Sequence, residues 1–241
     1  MPLDGYRPEL NCGKKVIDDL IFAVYCVPMS TKIKRIALPA GRPREFDADE
    51  ALDKALNVFR QKGFEAASLP DLTRAMGISR PSLYATFGNK EELFRKALDR
   101  YTERGMKLLQ TALSEPTAYR AVEKILTAIA DGSACSNTPK GCLFVQGALA
   151  CGDSSQSIRQ ELTARRMRSE FLFRQRFERA IAEGDLPADT SASDLAGFIA
   201  TVMQGMSVQS SGGASREALL GIARTALRAI PASVRIRAVS R

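Results

Sequence analysis

Arg80, Ser82, Tyr84 and Thr86 fall within one short stretch, with Lys90 close behind. Together they offer a forked guanidinium, hydroxyls and an ammonium, groups that suit hydrogen bonds to base edges and phosphate oxygens. Bond-making chemistry has less to work with. Histidine is absent from all 241 residues, which excludes Ser-His-Asp and Cys-His nucleophiles, His-bearing zinc sites and imidazole acid–base steps. Carboxylate, Lys or Tyr catalysis survives on composition, but no constellation for it is present. Cys12, Cys26, Cys135, Cys142 and Cys151 form no close C-x-x-C pair and read as reduced thiols of a cytosolic chain.

Those polar side chains need a rigid support, and the sequence from Phe46 to Leu98 punctuates itself into four helices. Asp47 with Glu50 is a capping-box pattern ahead of Leu52, Ala55, Leu56 and Phe59 at helical spacing, and Gly63 is expected to end that helix. Ser68 with Asp71 opens a short second helix whose apolar face is Leu69, Leu72, Ala75 and Met76, closed by Gly77. After the turn Gly77-Ile78-Ser79, Ser79 caps a third helix from Arg80 to about Phe87, with Pro81 tolerated in its first turn. Asn89 with Glu92 caps a fourth, beginning at Lys90.

Two short helices joined by a glycine turn make a helix-turn-helix. Leu72, Ala75, Ile78 and Leu83 are expected to lock the pair, leaving Arg80, Ser82, Tyr84 and Thr86 on the outer side of a helix that fits the major groove of DNA. Lys90 then shares a phosphate with backbone N–H groups of the fourth helix. A helical hairpin that touches no DNA would carry the same punctuation.

The stretch GFEAASLPDLTRAMGISRPSLYATFGNKEELF, Gly63 to Phe94, resembles the DNA-binding domain of the TetR/AcrR family of bacterial transcriptional regulators almost position for position. The shared signature runs through Gly63, Phe64, Ser68, Leu72, Ala75, Gly77, Ile78, Ser79, Leu83, Tyr84, Phe87, Lys90, Leu93 and Phe94. The resemblance implies base contacts from Arg80, Pro81, Ser82 and Thr86, and a place for Tyr84 against the DNA backbone. It also puts Ser68 and Lys90 on phosphates, with Ser79 at the same edge. Pro70 and Ala85 depart from side chains found in some relatives, so readout is expected to lean on Arg80 and on a basic arm.

That arm is residues 29–45; from Thr31 to Arg44 it carries Lys32, Lys34, Arg35, Arg42 and Arg44 without an acid, and Pro39, Gly41 and Pro43 oppose a helix. Arg42 and Arg44 are DNA-binding candidates, although a solvated tail has the same composition. Across the chain 35 Lys and Arg face 27 Asp and Glu, a net +8 that favours polyanionic partners. Residues 1–28 contain a short apolar run, Leu20–Val27, after Lys14 and Lys15. Asp18 and Asp19 precede it and no small-residue cleavage site follows, so it is read as an extension upstream of a natural start at Met29 rather than a signal peptide. No run reaches the roughly 18–20 apolar residues that span a bilayer.

The resemblance divides the rest into a helix-turn-helix domain at 46–98, a helical ligand-binding and dimerisation domain at 99–232, and a tail at 233–241. Helices are expected near 116–133, 142–150, 156–183, 192–208 and 216–230, separated by Gly- or Pro-containing breaks. GCLFVQGALA, AEGDLP and QGMSVQSSGGASREAL resemble, more loosely, the C-terminal half of an AcrR-like branch. In that family the last two long helices pair across a two-fold axis. The stripe Leu195, Phe198, Ile199, Val202 and Met206 with Leu219, Ile222, Ala226 and Ile230 fits such a dimer, with Gly197 and Gly205 permitting close approach. The same stripe equally describes a core within one protomer.

A ligand pocket among the middle helices would be bounded by Leu109, Ile129, Phe144, Phe171, Phe177 and Met203, with Gln146 as a hydrogen-bonding group. Cys142 is a candidate redox, electrophile or soft-metal sensor, with Cys135 nearby in sequence; an inert buried thiol is the plainer reading. Cys142 and Cys151 stand about 13 Å apart along a regular helix at 1.5 Å per residue and cannot bridge. The arginine-rich run Arg159, Arg165, Arg166, Arg168, Arg174, Arg176 and Arg179 reads as a solvated face, or as a site for an acidic effector.

The expected protein is an all-α, cytoplasmic, homodimeric regulator. It would bind a near-palindromic double-stranded DNA operator, repress, and be released by a small-molecule effector, with no cofactor, no bound metal, no catalytic residue and no membrane contact. The rival readings are a sensor or scaffold dimer without operator binding, and a thiol- or metal-responsive regulator using Cys142.

Overall fold

The computed structural model describes residues 46–134, 140–150 and 155–231. Arg42 and Arg44, the extension, the arm and the tail fall outside these, as do Cys12, Cys26, Cys135 and Cys151. The described residues form nine helices and no strand: α1 (Ala48–Ala66), α2 (Leu69–Met76), α3 (Arg80–Phe87), α4 (Lys90–Leu113), α5 (Ala118–Ala134), α6 (Leu143–Ala150), α7 (Gln156–Ala182), α8 (Ala192–Ser211) and α9 (Arg216–Leu227). No described helix is long and apolar enough to cross a membrane.

The caps anticipated from the sequence are in place. The Asp47 carboxylate accepts from the backbone N–H of Asp49 and Glu50 at 2.8 and 3.2 Å, satisfying donors that the first helical turn leaves open. Ser68 with Asp71, and Asn89 with Glu92, form reciprocal capping boxes. Gly63 does not end α1 cleanly. It sits at φ 78°, ψ 177° as a break, and a further helical turn runs on to Ala66.

Two apolar cores divide the helices. The first gathers Ala55, Phe59, Leu72, Leu83, Leu93 and Phe94, with Phe59 edge-on to Phe94 at 4.9 Å between centroids. Leu143 of α6 and Ile158 and Leu162 of α7 also belong to it, so two C-terminal helices pack directly on α1 and α4 of the N-terminal domain. Polar contacts reinforce the join: the Ser155 hydroxyl donates to Glu65 at 2.6 Å, and Arg95 reaches Glu161 at 3.2 Å. The second core lies among α4, α5, α7, α8 and α9 and includes Leu126, Phe173, Phe177, Ile199, Met206 and Leu219.

Candidate nucleic-acid interface and ligand cavity

Backbone chemistry fixes the angle between α2 and α3. Gly77 adopts φ 69°, ψ 30°, a left-handed conformation costly for a residue with a Cβ, and its N–H donates back to Arg74 and Thr73. The Ile78 N–H bonds the Thr73 carbonyl at 3.2 Å. Ser79 then accepts from the Ser82 N–H at 3.2 Å and opens α3. Leu72 and Leu83 are fully buried between the helices, and Ile78 packs against them half-buried. Ala75 is exposed, contrary to expectation, while Met76 of the same apolar face is buried. An interval of four from Leu72 keeps Met76 on the inner face, whereas three carries Ala75 round its edge.

With Leu83 and Phe87 directed inward, α3 leaves a polar outer face. Ser79, Arg80, Pro81 and Tyr84 are exposed, and Ser82 and Thr86 are half-buried. Tyr84 keeps 42% of its surface open, unusual for a large ring. The Arg80 guanidinium lies 5.7 Å from its ring centre, and Arg80 Nη2 is 3.4 Å from its hydroxyl. This lightly held pair stays free to trade one partner for a base or phosphate.

Ser68 and Lys90 flank that face. Ser68 is exposed, but its hydroxyl donates to Asp71 at 2.7 Å. Lys62, 2.8 Å from Asp71, together with the Ser68 bonds holds that carboxyl well below the usual carboxylate range. Lys90 folds over the Phe64 ring at 4.7 Å and donates to the Glu65 carbonyl at 3.1 Å. Partial burial pulls its ammonium below the ordinary lysine value, with Glu65 opposing. The ammonium carries three N–H donors, so one bond to Glu65 leaves others for a phosphate.

The second feature is a cavity of about 400 Å³ walled by α4–α8 and by Arg60 of α1. Leu109, Ile129, Phe144 and Met203 line it, as the sequence suggested, and so does Cys142. Phe177 does not: it is fully buried against Phe173 further along α7, where α5, α8 and α9 close on that helix. Phe171 is also off the wall, half-buried under the Arg174 guanidinium at 5.1 Å. Gln146 turns back over Gly141, its amide occupying the space a Cβ there would need. Tyr101, edge-on to Phe144 at 5.1 Å and beneath Arg60 at 5.5 Å, is hydrogen-bonded to Cys142. Burial and the neighbouring thiol push its hydroxyl above the usual tyrosine range.

The arginine-rich helix is a solvated face only in part: Arg159, Arg168 and Arg179 are exposed, the others are not. Arg165, Arg166 and Arg168 line the cavity, and Arg176 is buried, donating to the Glu115 carbonyl at 3.1 Å. Helical spacing alone leaves the solvated face and the effector site open, because it says nothing about what covers each cation. Among the described residues no group of three His, Cys, Asp or Glu is placed to hold a metal ion.

The stripe along α8 and α9 divides in two. Leu195, Ile199, Met206, Leu219 and Ala226 are buried within the protomer, as is Ile230, and Val202 packs half-buried beside them. They are intramolecular core, because closing the fold already covers them. Phe198 and Ile222 face outward at 41% and 38% exposure, joined by Val208 at 48%.

The N-terminal helices match the model for bacterial regulatory proteins of the tetR family over residues 51–97, and the tetracyclin repressor-like C-terminal domain matches residues 118–227. The transcriptional repressor ComR of Escherichia coli K12 is 39% identical over 197 residues, covering 81% of this chain and 94% of ComR. The chain belongs to the TetR family of bacterial regulatory proteins. The repressor BdcR of the same organism is 28% identical, covering 79% of this chain and 92% of BdcR. Among solved structures, a cysteine mutant of the TetR family regulator CifR, complexed with 26-base-pair operator DNA, is 45% identical with a TM-score of 0.76. It aligns over 79% of this chain and all of CifR. The α2–α3 unit is accordingly the DNA-binding helix-turn-helix of a TetR-family regulator.

Proposed function

We propose that this regulator is a cytoplasmic repressor that binds a near-palindromic operator as a homodimer and is released when a small molecule enters the α4–α8 cavity. The observation that carries the reading is the outer face of α3, where Arg80, Pro81 and Tyr84 are exposed, with Ser82 and Thr86 half-exposed beside them, on a helix locked from behind by Leu72 and Leu83. A recognition helix must offer such side chains to base edges. The repressor names of ComR and BdcR and the operator complex of CifR support repression through DNA. That exposed face also favours operator binding over a scaffold that has lost it.

Phe198, Val208 and Ile222 support the dimer: three large apolar side chains exposed on two adjacent helices are costly to leave in water. Two recognition helices then meet successive major grooves roughly 34–36 Å apart, and the ligand favours a dimer in which that spacing is lost. Leu143, Ile158 and Leu162 support the coupling, since they join cavity-wall helices to the core of the helix-turn-helix. A thiol-responsive variant of this scheme draws support from Cys142, which meets Tyr101 on the cavity wall.

Footprinting on the DNA upstream of the protein's own gene tests the reading. The expected result is a protected near-palindrome occupied by two chains. Protection without sequence preference, or by one chain, contradicts it.

A further inference from the structure

The cavity lining holds five cations, Arg60, Lys140, Arg165, Arg166 and Arg168, and no aspartate or glutamate. Its remaining wall is largely apolar, with Met106, Leu109, Ile125, Ile129 and Met203 among the residues that form it. Arg165 is neutralised from outside the lining, by Asp99 at 2.5 Å and Glu161 at 2.6 Å. Arg166 is half-buried and, among the described residues, has no hydrogen-bond or ion-pair partner. The Tyr101 hydroxyl, held in its neutral form by burial, adds a donor rather than a negative charge.

Arg166 is thus a cation on a largely apolar wall whose lining supplies no acid, and such a cation attracts an anion. We propose that the ligand of this cavity is an organic anion with an apolar body, its acidic group held by Arg166 and its body lying on the Leu109–Ile129–Met203 wall. The inference rests on the reading of the cavity as the effector site and adds the class of effector. A volume of about 400 Å³ accommodates a body of some eight to ten carbons, at the small end of ligand pockets.

Calorimetric titration of the full-length protein with octanoate, octan-1-ol and octylammonium at one ionic strength tests the proposal, alongside Arg166→Gln, Arg166→Lys and Ile129→Phe, each first matched to wild type by thermal melting. Octanoate is expected to bind about tenfold or more tighter than octan-1-ol, as a charge-assisted bond in a shielded site should give, and octylammonium more weakly than either. Arg166→Gln should remove most of octanoate's advantage without changing octan-1-ol, Arg166→Lys should restore part of it, and Ile129→Phe should weaken both. Equal affinity for octanoate and octan-1-ol, both lost in Ile129→Phe, overturns the anion inference and leaves the cavity reading standing. Octanoate binding indifferent to Ile129→Phe, or no binding of any of the three, overturns both.

Discussion

In the helix-turn-helix, two eight-residue helices hold their shape through bonds that run three or four residues along the chain: Ser68 to Asp71, Ser79 to Ser82, Gly77 back to Thr73 and Arg74. The cavity has no such local frame, and its wall is assembled from α1 and five further helices brought together by packing. One region offers a preformed polar ridge, the other a space bounded by apolar side chains and a charged rim. A reading surface has to be rigid before DNA arrives, so local bonding suits it. A sensing cavity has to change the relation between helices when filled, so it is made of contacts that can be redistributed.

The difference is sharpest in the response to truncation. Leu83→Ala removes a fully buried side chain from a closed core and is expected to cost about 2–5 kcal/mol in chemical denaturation, taking DNA binding with it. Ile129→Ala, which widens a space already present, should cost less than half as much. Equal losses would mean that the cavity is filled in solution and the contrast is false. Ser79→Ala removes the α3 cap and is expected to lower stability by about 1 kcal/mol; no loss would show that α3 is held by packing alone.

The smallest effect concerns the clasp between α1 and α4. Arg100 and Arg104 meet Asp53 at 2.6 and 2.8 Å and hold its carboxyl below the ordinary value of 3.8. A depressed folded-state pKa stabilises the fold above the unfolded value, and that contribution disappears as pH falls through the lower folded value. Asp53→Asn should therefore cost under about 1 kcal/mol at pH 7, the site being partly open to water, and progressively less as pH falls below the ordinary 3.8. A loss that did not shrink with acid would assign the effect to packing.

The two regions were also unequally legible in the sequence. Ser68, Gly77, Ser79 and Asn89 announced the helix-turn-helix because caps and turns depend on residues within a few positions of each other. Ala75, expected on the inner face together with Met76, is exposed because a two-turn helix gives too few apolar positions to fix its inner edge. On α8, periodicity found the helix but not what covers it. Ile199 and Met206 lie inside the protomer and Phe198 and Val208 outside, on stripes only a residue or two apart. The cavity's cations were hidden for a related reason: whether Arg166 meets water or a wall depends on α4 and α5, many residues away.

The most direct test of the reading face is a base-by-base binding profile of Arg80→Ala on the operator, set beside Lys90→Ala across a range of salt concentrations. Arg80→Ala is predicted to erase about 1–3 kcal/mol of preference at one position per half-site and leave the others intact. Lys90→Ala should weaken every sequence alike and reduce the salt slope by about one. An unchanged profile for Arg80→Ala would contradict the assignment of the α3 outer face as the surface that reads DNA.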